Sequence, residues 1–213
     1  MQITEIFKSI QGESSYAGLP CIFIRLTGCN LRCTWCDTEY SFHGGETMTL
    51  EQVMKRVDDF GGRLVEITGG EPLLQKEVYP LMDRLLAENY QVLLETSGER
   101  PINNVPREVV KIVDVKCPDS GEADTFVMAN LDSLAPHDQI KFVVGTRRDY
   151  EFARGFTREH DLGGRVAAVF FSPVDGSINL PEMAQWIIDD QLGNVRFGSQ
   201  LHKTIWGADV PGV

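Results

Sequence analysis

The chain has 213 residues, of which 42% are hydrophobic and 24% are charged. These proportions exclude a fibrous, collagen-like or disordered chain, and the length predicts a single domain over residues 1–213. Lys and Arg number 20 against 31 Asp and Glu, a net charge of −11, which disfavours a nucleic acid partner because polyphosphates bind through clustered Lys and Arg.

The first residues, Met1 to Lys8, lack the basic and long apolar regions of a secretory signal. No run of roughly 18 apolar residues follows, so we expect no membrane-spanning helix. The expected location is therefore the cytoplasm, where the five cysteines would stay reduced.

Short apolar segments alternate along the chain with amphipathic ones. The apolar segments predict six strands, over residues 21–26, 64–68, 91–95, 110–115, 140–144 and 166–171. The amphipathic segments predict helices over residues 50–60 (behind a capping box at Thr49 and Gln52), 77–89 and 181–192, with fainter helical periodicity near 122–132 and 149–160.

Strands that alternate with helices predict an α/β fold with parallel strands joined by right-handed crossovers. Six strands are too few for a closed eightfold barrel, which typically needs about 250 residues. The expected architecture is a partial, open TIM-like barrel of about six parallel strands, with its active site at the carboxyl ends of the strands.

Polar and glycine-rich segments follow four of the predicted strands at that edge. They are Thr68-Gly69-Gly70-Glu71-Pro72, Thr96-Ser97-Gly98, Asp114-Val115-Lys116 and Ser172-Pro173-Val174-Asp175-Gly176. Any one of them is equally well explained as a turn, but four on one edge favour a site.

Cys29, Cys33 and Cys36 lie in one loop directly after the first predicted strand. Three thiolates this close in sequence can hold one compact metal centre, whereas iron–sulfur clusters usually take four Cys ligands. A cluster with three protein ligands keeps an open coordination position, where a small molecule can bind and be activated.

Two other interpretations of the three cysteines stay open. His43 is near enough in sequence to complete a Cys3His zinc site, and a small electron carrier would also cluster its cysteines. A carrier would be expected to supply a fourth thiolate. Cys21 falls in a predicted buried strand and Cys117 lies beside Pro118, so both are predicted to be packing residues.

The spacing Cys-x3-Cys-x2-Cys, with Gly69-Gly70-Glu71-Pro72, resembles the radical S-adenosylmethionine superfamily and implies its modified core. Further segments are similar to the 7-carboxy-7-deazaguanine synthase family. They are Ile10-Gln11-Gly12-Glu13, Arg25, Trp35-Cys36-Asp37-Thr38 and the closing segment Gln200-Leu201-His202-Lys203. The similarity runs from residue 3 to the C-terminus.

The resemblance implies a carbon–nitrogen lyase that uses a [4Fe-4S] cluster, S-adenosylmethionine and Mg2+. The family's reaction is a radical ring contraction of 6-carboxy-5,6,7,8-tetrahydropterin to 7-carboxy-7-deazaguanine with loss of ammonia, a step of queuosine biosynthesis. S-adenosylmethionine is regenerated in it and acts as a cofactor. The resemblance also implies a flavodoxin- or ferredoxin-type electron donor and a homodimer.

The same resemblance assigns expected roles to individual residues. Cys29, Cys33 and Cys36 would hold the cluster, and Thr38 would bind Mg2+. S-adenosylmethionine would lie along Trp35, Cys36, Asp37, Gly70, Glu71, Asp114, Val115, Lys116, Ser172, Pro173, Val174 and Asp175. The substrate would contact Ile10, Gln11, Gly12, Glu13, Arg25, Thr68 and Val213.

Arg25 and Thr38 each have an alternative, structural role that involves no ligand. Arg25 lies in an apolar strand, where its guanidinium needs either a ligand carboxylate or a structural ion pair. The hydroxyl of Thr38 suits a hard cation such as Mg2+, but it could instead cap the loop.

The alternative function is that of a glycyl-radical activating enzyme. These enzymes share the cysteine loop but act on a protein, so they would need neither Arg25 nor Thr38 for a ligand.

Overall fold

A nine-stranded sheet forms the centre of the computed structural model, which describes residues 1–207, 210 and 212. The strands are β1 (Gln2–Ile10), β2 (Pro20–Leu26), β3 (Glu46–Thr47), β4 (Leu64–Gly69), β5 (Gln91–Thr96), β6 (Val110–Asp114), β7 (Gln139–Val144), β8 (Ala168–Pro173) and β9 (Val195–Phe197). The helices are α1 (Leu50–Phe60), α2 (Val78–Ala87), α3 (Arg147–Glu159), α4 (Leu162–Arg165), α5 (Leu180–Asp189) and α6 (Leu201–Trp206).

The strand order is β3-β1-β2-β4-β5-β6-β7-β8-β9. β2 and the strands from β4 to β9 pair in parallel. β1 pairs antiparallel with β2, and β3 pairs antiparallel with β1. Because β3 and β9 lie at opposite edges of this order, the barrel is open. The six predicted strands are β2 and β4 to β8, so the predicted open α/β barrel is confirmed.

The helix predictions were confirmed except in one segment. Thr49 and Gln52 form the predicted capping box at the start of α1. Residues 122–132 do not form a helix but two short 3₁₀ turns, Ala123–Thr125 and Met128–Ser133. The reason is tertiary: the buried side chain of Asn130 bonds the carbonyl of Gly98 at 2.8 Å and the amide of Ile102 at 3.1 Å, which anchors the segment to a neighbouring loop.

Side chains alternate between the two faces of the sheet, as the period of a strand requires. One face packs with the helices in the main core, which also buries Cys117. The other face is the barrel interior, and one end of it is closed by an apolar cluster of Cys21, Leu64, Leu93, Val110 and Ile112. Cys21 and Cys117 are therefore packing residues, as predicted.

A helix that crosses a bilayer must be long and predominantly apolar. Within the described part of the chain, no helix is both long enough and apolar enough to cross a bilayer.

Candidate active site

A cavity of about 640 Å³ opens at the carboxyl ends of the parallel strands. Most residues that the sequence singled out line it: Ile10, Gln11, Gly12, Glu13, Arg25, Cys29, Cys33, Trp35, Cys36, Asp37, Thr38, Thr68, Gly70, Asp114, Lys116, Val174 and Asp175. The edge of the sheet that was predicted to carry the site therefore carries the cavity.

Hydrogen bonds to two neighbouring segments hold the cysteine loop in place. The carbonyl of Gly28 accepts from the amide of Glu71 at 2.8 Å. The amide of Thr34 donates to the carbonyl of Ser120 at 3.0 Å, and the amide of Arg32 donates to Oε1 of Glu122 at 2.6 Å. The loop is thus organised by the chain itself.

Gly70 has a steric reason to be glycine. A Cβ atom at this position would lie 2.6 Å from the Cβ of Cys29, closer than two side chains can approach. The backbone after β4 therefore packs directly against the cysteine loop, and together they form a cradle beside the thiols.

The three thiols of the loop are half-buried and face one cavity. Among the described residues, no three His, Cys, Asp or Glu side chains converge closely enough to hold a single ion. In an iron–sulfur cube each iron occupies its own corner, so the thiolates that bind it must stand apart. His43 is exposed and does not line this cavity, so the three thiols fit a cluster better than a Cys3His zinc ion. Burial raises the pKa of the Cys29 and Cys33 thiols.

Arg25 has an internal partner and still faces the cavity. Its Nε donates to Oε1 of Glu5 at 2.8 Å, and its side chain is 14% exposed. Within residues 1–207, 210 and 212, its two terminal guanidinium nitrogens make no hydrogen bond. The structural ion pair that was considered for Arg25 thus exists, and it leaves donor capacity for a ligand.

Thr38 lines the same cavity next to the cysteine loop. Its Oγ1 lies 3.8 Å from Sγ of Cys36. It precedes the 3₁₀ turn Glu39–Ser41, but its hydroxyl makes no capping hydrogen bond there. Capping therefore does not explain Thr38, and its oxygen is available to a ligand.

Four of the described residues predicted to contact a ligand do not line the cavity: Glu71, Val115, Ser172 and Pro173. Val213 lies outside the described residues. Ser172 and Pro173 lie beside the cavity rather than in its wall, and Val115 is buried in the main core.

Glu71 is fully buried, and its carboxylate accepts hydrogen bonds from the amide of Ser97 at 2.8 Å and the hydroxyl of Thr96 at 2.8 Å. Neither side chain lines the cavity, so any contact of Glu71 or Val115 with a ligand would have to come from the backbone.

The cavity also contains a group of charged residues that the sequence motifs did not predict. Glu66 on β4, Glu95 on β5 and Lys141 on β7 all line it. A signal was present, because Glu66 and Lys141 interrupt apolar strands, which is the pattern that singled out Arg25.

These charges form a network across the barrel interior. Nζ of Lys141 lies 3.0 Å from Oε2 of Glu13 and also contacts the carboxylate of Glu95. Burial opposes ionisation of Glu13, but the ammonium of Lys141 lowers the pKa of Glu13 to about 2. Burial likewise opposes the charge of Lys141, but Glu13 and Glu95 raise its pKa well above its usual range.

The segment around α6 forms one wall of the cavity. Nε2 of Gln200 donates to Oε1 of Glu13 at 2.9 Å, and Nζ of Lys203 lies 3.2 Å from Oδ2 of Asp37. The segment therefore joins Glu13 to the end of the cysteine loop at Asp37. His202 packs so closely on Gly12 that a Cβ there would lie 3.0 Å from the His202 amide nitrogen.

An open α/β barrel with three thiols in the loop after its first parallel strand defines a radical S-adenosylmethionine protein. The model of the Radical SAM superfamily matches residues 23–185 of the chain. The chain is 56% identical to the 7-carboxy-7-deazaguanine synthase of Koribacter versatilis over 100% of both chains, and 42% identical to that of Chlorobaculum tepidum over 100% of this chain and 97% of the relative. The chain belongs to the 7-carboxy-7-deazaguanine synthase family.

Solved structures agree on the fold. QueE from Escherichia coli superimposes with a TM-score of 0.75 at 24% identity, over 92% of each chain. SuiB from Streptococcus suis, bound to its precursor peptide, gives 0.57 at 12% identity over 78% of this chain and 44% of that one.

Family membership identifies the chain as a radical S-adenosylmethionine lyase with a [4Fe-4S] cluster and S-adenosylmethionine as cofactors. The glycyl-radical activating enzymes that were considered as an alternative are not favoured.

Proposed function

We propose that this protein converts 6-carboxy-5,6,7,8-tetrahydropterin to 7-carboxy-7-deazaguanine with loss of ammonia. The observation that carries the proposal is one cavity that brings the cysteine loop together with Arg25, Gln11 and Glu13. A radical source and a set of groups suited to a small, polar, carboxylated heterocycle thus share one enclosed space.

At the cluster end, Cys29, Cys33 and Cys36 bind the iron. The neighbouring wall residues would hold S-adenosylmethionine: Trp35, Asp37, Gly70, Asp114, Lys116, Val174 and Asp175. When bound, the cluster and S-adenosylmethionine supply a one-electron cleavage that generates an organic radical. The chain itself contributes the cradle formed by Gly70 and the cysteine loop, which would fix the position of the cluster relative to the substrate end of the cavity.

At the substrate end, Arg25 binds the pterin carboxylate through its terminal guanidinium nitrogens, a pairing that is bidentate and charge-assisted. Thr38 contributes one hard oxygen to Mg2+, which takes its other ligands from substrate and water. Gln11, Glu13 and Thr68 supply the amide, carboxylate and hydroxyl groups that can hydrogen-bond a heterocycle's polar edge, with Ile10 and Gly12 beside them.

The proposal also covers the domain, the assembly, the electron donor and the location of the enzyme. One domain over residues 1–213 carries the reaction, and the assembled form is a homodimer. Electrons come from a flavodoxin- or ferredoxin-type donor, and the enzyme works in the cytoplasm. All five cysteines are free thiols, which a reducing compartment favours.

The test is an anaerobic assay of the cluster-loaded protein with reductant, Mg2+, S-adenosylmethionine and the carboxylated pterin. We expect an ultraviolet-absorbing deazapurine and one ammonia per product. An intact cluster that gives neither product would refute the proposal.

Arg25→Gln tests the substrate orientation. Losing a charge-assisted pair costs about 1.5–3 kcal/mol, so KM for the pterin should rise about 10- to 100-fold while the Kd of S-adenosylmethionine stays close to wild type. Arg84→Gln is the matched control, because Arg84 forms an exposed ion pair with Glu88 on α2. Equal weakening of both ligands would place the carboxylate elsewhere.

A further inference from the structure

Glu66 lies at the floor of the cavity with 2% of its surface exposed. It is an inward-facing residue of β4, between Leu64 in the apolar cluster and Thr68 at the rim. The role proposed for the site above makes no use of it, although a buried carboxyl group in a substrate cavity needs a physical explanation.

The hydrogen bonds around Gln11 determine which group donates a hydrogen bond to Glu66. Oε1 of Gln11 accepts from the amides of Glu13 and Ser14, each at 3.0 Å. The amide group of Gln11 is therefore fixed, and its Nε2 donates to Oε2 of Glu66 at 3.1 Å. Glu66 thus receives one hydrogen bond from a neutral donor.

The titratable groups that face Glu66 are mostly acidic. Glu95 projects inward from β5, Glu13 from the loop after β1, and the thiol of Cys21 from β2. Lys141 on β7 is the nearby cation, and it contacts Glu13 and Glu95. In the part of the chain that the structure describes, no Lys, Arg or His forms an ion pair with Glu66.

A buried carboxyl group with one neutral donor and two carboxylate neighbours is more stable with its proton than without it. The direction of its titration agrees, since burial and the neighbouring Glu95 raise the pKa of Glu66 to about 8. Because Gln11 donates to Oε2, the acid proton belongs on Oε1, which makes no hydrogen bond within the described residues of a side chain that lines the cavity.

We propose that Glu66 is a neutral carboxylic acid whose O–H donates a hydrogen bond to an acceptor atom of the substrate's ring, and that it thereby helps to select the substrate. A ring carbonyl or an unprotonated ring nitrogen has the required chemistry, whereas an ionised Glu66 would repel both. The inference rests on the proposed function, because it takes the occupant to be a pterin.

The first test is the pH dependence of substrate KM for wild type and Glu66→Gln, which stays neutral at every pH. About nine-tenths of Glu66 would be ionised at about pH 9, so the wild-type KM should rise about tenfold between about pH 7 and about pH 9 beyond the rise seen for Glu66→Gln. Titrations of substrate or cofactor affect both proteins and cancel in this ratio. Glu77→Gln, an exposed residue before α2, is the matched control and should follow wild type.

The second test needs no substrate. Because the folded pKa of Glu66 lies above its ordinary value of 4.5, wild type should lose stability relative to Glu66→Gln as pH rises from about 5 towards about 9. The Tm of the two cluster-loaded proteins should therefore diverge with pH. The infrared spectrum of wild type alone should show a buried protonated carboxyl band at neutral pH that disappears above about pH 9.

Each outcome decides a separate part of the proposal. A constant Tm difference and no carboxyl band would show that Glu66 is ionised and would overturn the inference. A protonated Glu66 with identical KM profiles in both proteins would overturn its role in binding. Wild type that makes no deazapurine would refute the proposed function and the binding role with it, while the Tm series still reports the proton on Glu66.

Discussion

The carboxyl group of Glu71 is predicted to support the fold beside the site and not to bind S-adenosylmethionine. Oε1 accepts from the amide of Leu73 at 3.0 Å and from the hydroxyl of Thr96 at 2.8 Å. Oε2 accepts from the amide of Ser97 at 2.8 Å and from its hydroxyl at 2.7 Å. Both oxygens are thus occupied by donors from three residues, and the side chain is fully buried. Glu71→Gln is the smallest change that tests this role.

The stability lost in Glu71→Gln follows from the hydrogen bonds that a glutamine cannot accept. A glutamine has one acceptor oxygen, so its NH2 group must face the backbone N–H of either Leu73 or Ser97. One charge-assisted hydrogen bond worth about 1.5–3 kcal/mol is lost, and a buried donor is left without a partner at about 1–3 kcal/mol. Because burial also raises the pKa of Glu71, removal of its charge returns part of this cost. We expect the free energy of unfolding to fall by about 2–4 kcal/mol.

The assay is anaerobic urea unfolding of the cluster-loaded protein, followed by the Kd of S-adenosylmethionine for the folded variant. Glu77→Gln is the control, since Glu77 is exposed and makes no side-chain capping bond. We expect Glu71→Gln to lose stability and the control to keep it, with the Kd of S-adenosylmethionine changed less than about threefold in both. Unchanged stability with a Kd that rises tenfold or more would show that the side chain of Glu71 reaches the ligand.

Three further predictions concern the cysteine loop. Cys33→Ala should bind little iron and form no product while its far-ultraviolet circular dichroism stays like wild type, because a core of this size does not depend on the metal; complete unfolding would contradict this. Glu122→Ala should release its cluster to a chelator about tenfold faster than wild type, since it loses the 2.6 Å bond to the amide of Arg32. Glu122→Gln should restore retention because its amide oxygen still accepts, and equal loss in both variants would show that charge matters instead. Thr38→Ala should raise the Mg2+ concentration needed for half-maximal rate, and an unaltered Mg2+ response would remove Thr38 from the metal site.

Local patterns were enough to predict the parts of the fold that local forces build. β2 and β4 to β8 were identified from short apolar runs, and α1 from its capping box and helical spacing. The antiparallel β1 and the edge strands β3 and β9 were missed. β1 lacks a regular alternation of polar and apolar residues, since its register shifts between Ile3 and Glu5, and it is a strand because it pairs with β2. β9 has only three residues, which pair with β8. Pairing of this kind depends on a partner that the local sequence does not contain.

The site, like the fold, has some features that the local sequence predicts and others that only the tertiary structure shows. Spacing alone placed Cys29, Cys33 and Cys36 in one loop, and polarity alone marked Arg25 as a charge in an apolar strand. Only the tertiary structure could show that Lys141 meets Glu13, 128 positions away, or that Glu71 turns its carboxylate inward. A covalent chain fixes the distance between neighbours, whereas partners far apart in sequence are chosen by burial and charge once the barrel has formed. The sequence thus determined which reactive groups are present, and the fold decided which of them share a cavity and in what charge state.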